Sequence, residues 1–333
     1  MKKSLIALAV LAASGASMAQ SSVTLYGIAD VFVGSKKVNG LSQAVVDSGG
    51  LNGSRWGLKG SEDLGGGLKA VFVLESGFDI STGAQQQGAL FGRQAFVGLN
   101  SDSFGSVSLG RQYGAYDVVK GGFLSAQGNS PAFDATNGAA VGAPLSAARL
   151  GAWTGYTVRL DNSIRYATPN ISGFQGAVVY GLGENKTPTT DATRNVSASL
   201  TYANGPIGLA LTHQDEELTP TVGLKNTAIG GYYDFGVAKV FAAYNYAKYD
   251  GLAKQNEWSI GARAPLGATT LVAQYAHSKG DDLGKNQSLG LSAEYGLSKR
   301  TTAYAGLNYT KTNLNTTADI KNHVVGLGVR HAF

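Results

Sequence analysis

Three arginines stand in segments that alternate between apolar and polar residues: Arg55 in SRWGL, Arg93 in GRQAF and Arg165 in SIRYA. A guanidinium stays protonated at every physiological pH, so these residues supply fixed positive charge rather than proton transfer. Rings of arginine favour anions, as rings of acid favour cations. In an extended strand Arg55 and Lys59 share one face, while Trp56 and Leu58 take the other. An arginine on the lipid side of a membrane strand costs roughly 2–4 kcal/mol at mid-bilayer, so such arginines belong on an inner face.

Residues for other chemistry are scattered. The histidines His213, His277, His323 and His331 form no H-x-x-x-H or H-E-x-x-H pair, and G-x-S-x-G and P-loop motifs are absent. No catalytic residue, metal site or cofactor is therefore expected. Asp281 and Asp282 in DDLGKN have the composition of a divalent-cation site, but also of a solvated turn. Two other readings stay open on the residues alone. One is a barrel enzyme, a protease or phospholipase, using His213 or His277 near the strand tops. The other is a non-conducting adhesin or structural barrel with a plugged lumen.

The elements that must hold the arginines are strands. Residues 1–19 (Lys2 and Lys3, an apolar run, then SMA) read as a secretory signal peptide cleaved after Ala19, leaving 20–333 as the mature domain. That apolar run is too short to span a bilayer, and no later run reaches the roughly 18 residues of a membrane helix. The chain has no cysteine, 47 glycines, 16 tyrosines and 15% charged residues, so no disulfide supports an exported fold. The net charge of +5 includes the two leader lysines and is too dispersed to suggest nucleic-acid binding. About sixteen segments of roughly ten residues follow, the length of a tilted membrane strand. Short turns (SEDLGGG, NSDSFGS, TPNISG, ANGPIG, DFGV, APLGA, LSKR) alternate with longer polar stretches such as KKVNGLSQAVVDSGG, DISTGAQQQG and QDEELTPTVGLK. That alternation predicts an up-and-down barrel.

The faces agree. In VAKVFAAYNYAKY, Val240, Ala242, Tyr244 and Tyr246 oppose Lys239, Ala243 and Asn245; in SLGLSAEYG, Leu289, Leu291 and Tyr295 oppose Ser288, Ser292 and Glu294. Apolar outside and polar inside implies a wet lumen. Tyr180, Tyr202, Tyr246, Trp258, Tyr295 and Phe333 lie near strand ends, where interfacial aromatics belong. A secreted β-sandwich would instead use them as core.

SSVTLYGIAD, SRWGLKGSEDLGGGLKAVF, GRQAFVGL, GSVSLGRQYG, NSIRYATPNISGF and GVRHAF together resemble a general porin of the Gram-negative outer membrane, of the beta-proteobacterial type. The resemblance covers essentially the whole mature chain. It implies an all-β, 16-stranded antiparallel transmembrane barrel, assembled as a homotrimer, with the third loop folded into each pore and the last strand paired with the first. It implies passive diffusion of small hydrophilic solutes and anions. The implied partners are outer-membrane lipid including lipopolysaccharide, and a barrel-assembly machinery that reads Phe333 as its signal.

The stretch from Tyr113 to Asp161 is far longer than any other connection and falls where the resembling family has its constriction loop. The family places arginines at the positions of Arg55, Arg93 and Arg165 in a lumenal cluster facing that loop. Asp117 and Asp134 are the acids of the loop's central part, against Lys120 and Arg149; Asp134, in PAFDATNG, matches the acidic tip. Few acids against several arginines predict anion preference. Gly27, Ala29 and Gly98 suit close barrel-to-barrel packing, with DISTGAQQQG as a latch. By parity with Val107 and Leu109, Arg111 faces outward at that interface and needs a partner from a neighbouring barrel.

Overall fold

A computed structural model describes residues 22–38, 40–137, 153, 155–219, 222–250, 253–281, 284–315 and 319–333. Residues 1–19, expected as a leader, and Arg149 and Asp282 lie outside the described residues. The strands are β1 (Ser22–Val38), β2 (Leu41–Ser48), β3 (Arg55–Gly65), β4 (Leu68–Gly77), β5 (Gln94–Ser101) and β6 (Gly105–Tyr113). After a one-turn helix, α1 (Ala115–Val119), come β7 (Arg159–Ala167), β8 (Phe174–Leu182), β9 (Arg194–Asn204), β10 (Ile207–Thr219) and β11 (Val222–Asp234). The series ends with β12 (Lys239–Tyr249), β13 (Ala253–Leu266), β14 (Thr269–Gly280), β15 (Gly284–Gly296), β16 (Thr301–Leu314) and β17 (Ile320–Ala332). Among the described residues no helix is long and apolar enough to cross a membrane.

Apart from β2 and β3, each strand pairs antiparallel with its chain neighbour, and β1 closes the ring on β17, from Ile28 opposite Ala332 to Lys37 opposite His323. The seventeen strands fill sixteen barrel positions, because β2 and β3 lie end to end along β1, against Val31–Val38 and Ser22–Ile28 respectively. The break between them is held by Asp30, whose carboxylate accepts the backbone N–H groups of Gly50 (3.0 Å), Leu51 (3.0 Å) and Asn52 (2.6 Å) and the hydroxyl of Tyr304. Several stretches expected as long loops are strand instead. KKVNGLSQAVVDSGG is largely the β1–β2 hairpin, and β10 and β11 run through most of QDEELTPTVGLK. Their polar composition reflects a barrel wall that continues past the bilayer into water, where outward residues need not be apolar.

The burial pattern alternates along the strands. On β10, Leu209 and Leu211 are exposed while Ala210, Thr212 and Gln214 are buried; on β15, Leu289 and Leu291 point out and Asn286, Ser288 and Ser292 point in. Most of the small apolar clusters inside the barrel are made by described residues of the Tyr113–Asp161 segment against the wall, as where Tyr116, Val119, Leu124 and Trp153 meet Ala210, Ala228 and Ala243.

Candidate functional site

The described parts of the long segment lie inside the barrel and are fastened to one side of it. Tyr116 donates its N–H to Ser197 Oγ (2.9 Å) on β9 and its hydroxyl to Asn245 Oδ1 (2.7 Å) on β12. Ser125 Oγ donates to Gln274 Oε1 on β14 (2.9 Å), Asn308 Nδ2 on β16 to the Asp134 carbonyl (3.2 Å), and Ser130 Oγ to the Gly50 carbonyl (2.6 Å). On the return, Trp153 N–H meets Glu257 (2.5 Å) and Thr157 N–H meets Glu216 (2.7 Å). Inward polar side chains of β9–β16 thus satisfy loop backbone that would otherwise be buried unpaired.

The opposite wall, β3 to β7, carries cationic residues across an open cavity of about 520 Å³ lined by Arg55, Arg93, Arg159 and Tyr113 on the wall and by Asp117, Asn129 and Tyr156 on the loop. Arg93 Nε pairs with Glu75 Oε1 at 2.8 Å, and its Nη2 donates to the Tyr113 hydroxyl at 2.5 Å. Arg159 Nη2 donates to the same hydroxyl at 2.8 Å, with its guanidinium carbon 4.5 Å from the ring centre. Arg55 Nε is held by the Gly53 carbonyl at 2.9 Å, within electrostatic reach of Arg93 and Arg159. Lys59 lies further along the same face, 5.1 Å from the Tyr26 ring centre, and the Tyr26 hydroxyl donates to the second oxygen of Glu75 (3.0 Å). Glu75 thus neutralises one charge of the group, and Arg55 and Arg159 are left facing the cavity.

The structure brings Arg55 and Arg93 together and adds Arg159, which sequence reasoning missed. Arg165 faces inward but apart from them, beside Gln94, Asn100 and Ser108 in a separate cavity. Asp117 reaches the arginine cavity; Tyr156 donates to its Oδ1 at 2.7 Å. Burial raises its carboxyl pKa above the ordinary aspartate value, against the opposing pull of that hydrogen bond and of Lys120, Arg159 and Arg93. Asp134 and Lys120, expected on the lumen, are each 1% exposed and face one another inside the loop (3.8 Å). Asp134 also accepts from Ser125, at 3.2 Å, and from the amide and hydroxyl of Thr136, both at 2.8 Å. It folds the loop tip instead of facing the arginines. Arg111 does face outward, but its partner is in its own chain: Nη1 contacts Asp161 at 2.5 Å and Nε the Gly92 carbonyl at 2.8 Å. From DISTGAQQQG, Gln86 and Gln87 line the arginine cavity. Asp281 donates its N–H to the Lys254 carbonyl, and no cluster of three metal-ligating side chains occurs among the described residues. His213 bonds Thr227 (2.8 Å) and His277 lies beside Trp258, both on the outer surface and away from the lumen.

A family model described as Gram-negative porin matches residues 5–315. The chain belongs to that family. It is similar over the full length of both chains to outer membrane porins of Bordetella pertussis (35% identical) and Delftia acidovorans (36%). Among solved structures, the anion-selective porin from Comamonas acidovorans superposes with a TM-score of 0.82 at 29% identity, covering 94% of this chain and 100% of that one. The Vibrio cholerae outer membrane protein OmpT superposes at 0.69 with 17% identity, a likeness of fold. This porin is an outer-membrane diffusion channel for small solutes and ions, not an enzyme, and the family is typically trimeric.

Proposed function

We propose that solutes pass between the loop and the β3–β7 wall, and that this constriction prefers anions. The observation that carries the reading is the convergence of Arg93 and Arg159 on one tyrosine hydroxyl beside Arg55, with Glu75 matching only one of the three charges. Asp117 is the acid opposite them, and its burial disfavours its charged form. The anion-selective porin from Comamonas acidovorans supports the same reading by likeness. Arg165 adds positive charge elsewhere along the inner wall, while Asp134 and Lys120 shape the loop. Planar-bilayer recording across a KCl gradient tests this: the reversal potential is expected to show chloride preference, strongest in dilute salt. Potassium preference in dilute salt overturns it.

The proposal extends to assembly. The barrel forms a homotrimer through the outward faces of β1 to β6, after removal of residues 1–19, and Phe333 is its assembly signal. A monomer in mild detergent counts against the trimer, and normal surface levels of a chain lacking Phe333 count against the signal.

A further inference from the structure

The inner wall holds a second cationic recess, set apart from the arginine cavity. Val97, Leu99, Val107, Leu109, Ile164 and Tyr166 are exposed on the outer surface, which puts the residues between them on the lumen. One inward row runs straight across four strands: Val71 on β4 opposite Gly98 on β5, Gly98 opposite Ser108 on β6, and Ser108 opposite Arg165 on β7. Gly98 has no side chain, so the row dips at its centre. Phe96 stands one inward position toward the loop and Asn100 one inward position toward the short turn. The recess measures about 360 Å³, and Val118 of α1 lines it from the loop. That volume lies at the small end of the range for pockets that hold one small molecule. Short turns in an outer-membrane barrel are periplasmic, so the recess lies on the exit side of the constriction.

Arg55, Arg93 and Arg159 are each held by a neighbouring oxygen, but Arg165 has no hydrogen bond or ion pair among the described residues, and no charged side chain acts on it. Ser108, its register partner, gives its hydroxyl to Gln112 at 2.6 Å, and the Gln112 amide donates to Ser163 at 3.1 Å. Gln94, Asn100 and Ser106 also line the recess, with side chains that make no hydrogen bond among the described residues. The other side is apolar: Phe96, Val71 and Val118, the last 52% exposed although it faces a wet channel. Three strand spacings leave about 14 Å between the backbones at Val71 and Arg165, room for both side chains and one flat ring. A guanidinium matches a carboxylate through two parallel N–H bonds, and a ring gains by stacking on Phe96. An inorganic anion uses only the first of these, and a neutral apolar solute only the second.

We propose that this recess is an exit subsite for aromatic monocarboxylates, with the carboxylate on Arg165 and the ring between Phe96 and Val118. Gln94, Asn100 and Ser106 serve the outer carboxylate oxygen and any hydroxyl on the ring. Tyr113 and Val118 line both this recess and the arginine cavity, so a solute leaving one enters the other. The subsite rests on the proposed passage between loop and wall for the route by which the solute arrives, while its occupancy is measured without any ion gradient.

The test uses the full-length porin in non-ionic detergent and benzoate as probe, with acetate and benzyl alcohol as the ringless and uncharged comparisons, and reads binding by saturation-transfer NMR and titration. Wild type should bind benzoate more tightly than either comparison. Arg165→Gln should weaken benzoate binding about tenfold, the loss of one charge-assisted pair, and Phe96→Ala about threefold, the loss of one ring contact. Mobility on unheated gels shows that each variant is folded; should Phe96→Ala not fold, Val118→Ser at its exposed loop position carries the same comparison. Acetate or benzyl alcohol binding as tightly as benzoate overturns the proposal, as does undiminished binding by the variants. Binding lost in Arg159→Gln but kept in Arg165→Gln also overturns it, by moving the ligand to the arginine cavity. Potassium preference in the reversal potential, by contrast, overturns the proposed ion preference and leaves benzoate binding as measured, so the two failures are told apart.

Discussion

The ring of Phe333 stands where Gly27 has no side chain: a Cβ on Gly27 would overlap Phe333 Cζ. The two backbones also exchange hydrogen bonds, Gly27 N–H to the Phe333 carbonyl at 3.0 Å and the reverse at 3.1 Å. One residue therefore fixes both the register of the closing seam and the seat of its last aromatic ring, and Gly27 faces its own chain's Phe333 instead of needing a neighbouring barrel to explain its size.

Gly27→Val should consequently hinder barrel closure, seen as a lower yield of the compact form on unheated gels after refolding. The double variant Gly27→Val/Phe333→Ala should recover only part of that yield, since removing the ring clears one obstruction while the Arg55 carbonyl, 2.7 Å from the same Cβ, remains. Additive losses in the double variant contradict the contact.

Arg55→Gln and Arg159→Gln should each reduce chloride preference more than Arg165→Gln does. One unit charge at about 7 Å and an effective dielectric of about 20 is worth roughly 2 kcal/mol before screening, and the Debye length of about 10 Å at 0.1 M lets salt erase much of it. Glu75→Gln should strengthen the preference by leaving Arg93 unmatched. Reversal potentials at several salt concentrations decide between these orders.

Asp134→Asn should leave ion preference nearly unchanged and instead loosen the loop. Breaking a buried charge pair costs up to about 3–5 kcal/mol, and less here because Asp117 and Glu257 also lie within electrostatic reach of Lys120. Increased open-channel noise and faster proteolysis within the loop are the expected readouts; a large change in reversal potential contradicts the burial of Asp134.

Acid should sharpen anion preference through Asp117. Its raised pKa means that it takes up a proton at a higher pH than an exposed aspartate does. Above that pH it opposes the arginines; below it they act alone. By the same sign the ionised form costs stability in the folded state above that pH, a cost that fades as pH falls. Reversal potentials measured from neutral pH downward should become more chloride-selective in the wild type, and the change should flatten in Asp117→Asn.

Strand alternation made the barrel and the inward face of Arg55 legible, because a period of two is a property of the backbone. The same rule failed at Arg159. A register shift around Arg111 and a positive φ at Asn162 interrupt the β6–β7 ladder just there, so that TVRLD reads as the tail of a loop. Glu75 does carry a sequence signal, a lone carboxylate at an inward position of FVLESGF. Asp134 was misplaced for another reason: inside a loop without periodicity, nothing in the sequence separates an acid that faces water from one that caps its own turn.

The seam between β1 and β17 has a bearing on how the molecule comes apart. An open sheet can fray from its outermost strand at the loss of one ladder. A ring offers no such strand, and detaching any member breaks hydrogen bonds on both of its sides at once. In lipid those groups find no water to replace the lost partners. Unfolding from within the bilayer is therefore all-or-none in character and slow, so the barrel's lifetime is governed by the height of a barrier more than by the depth of a free-energy well.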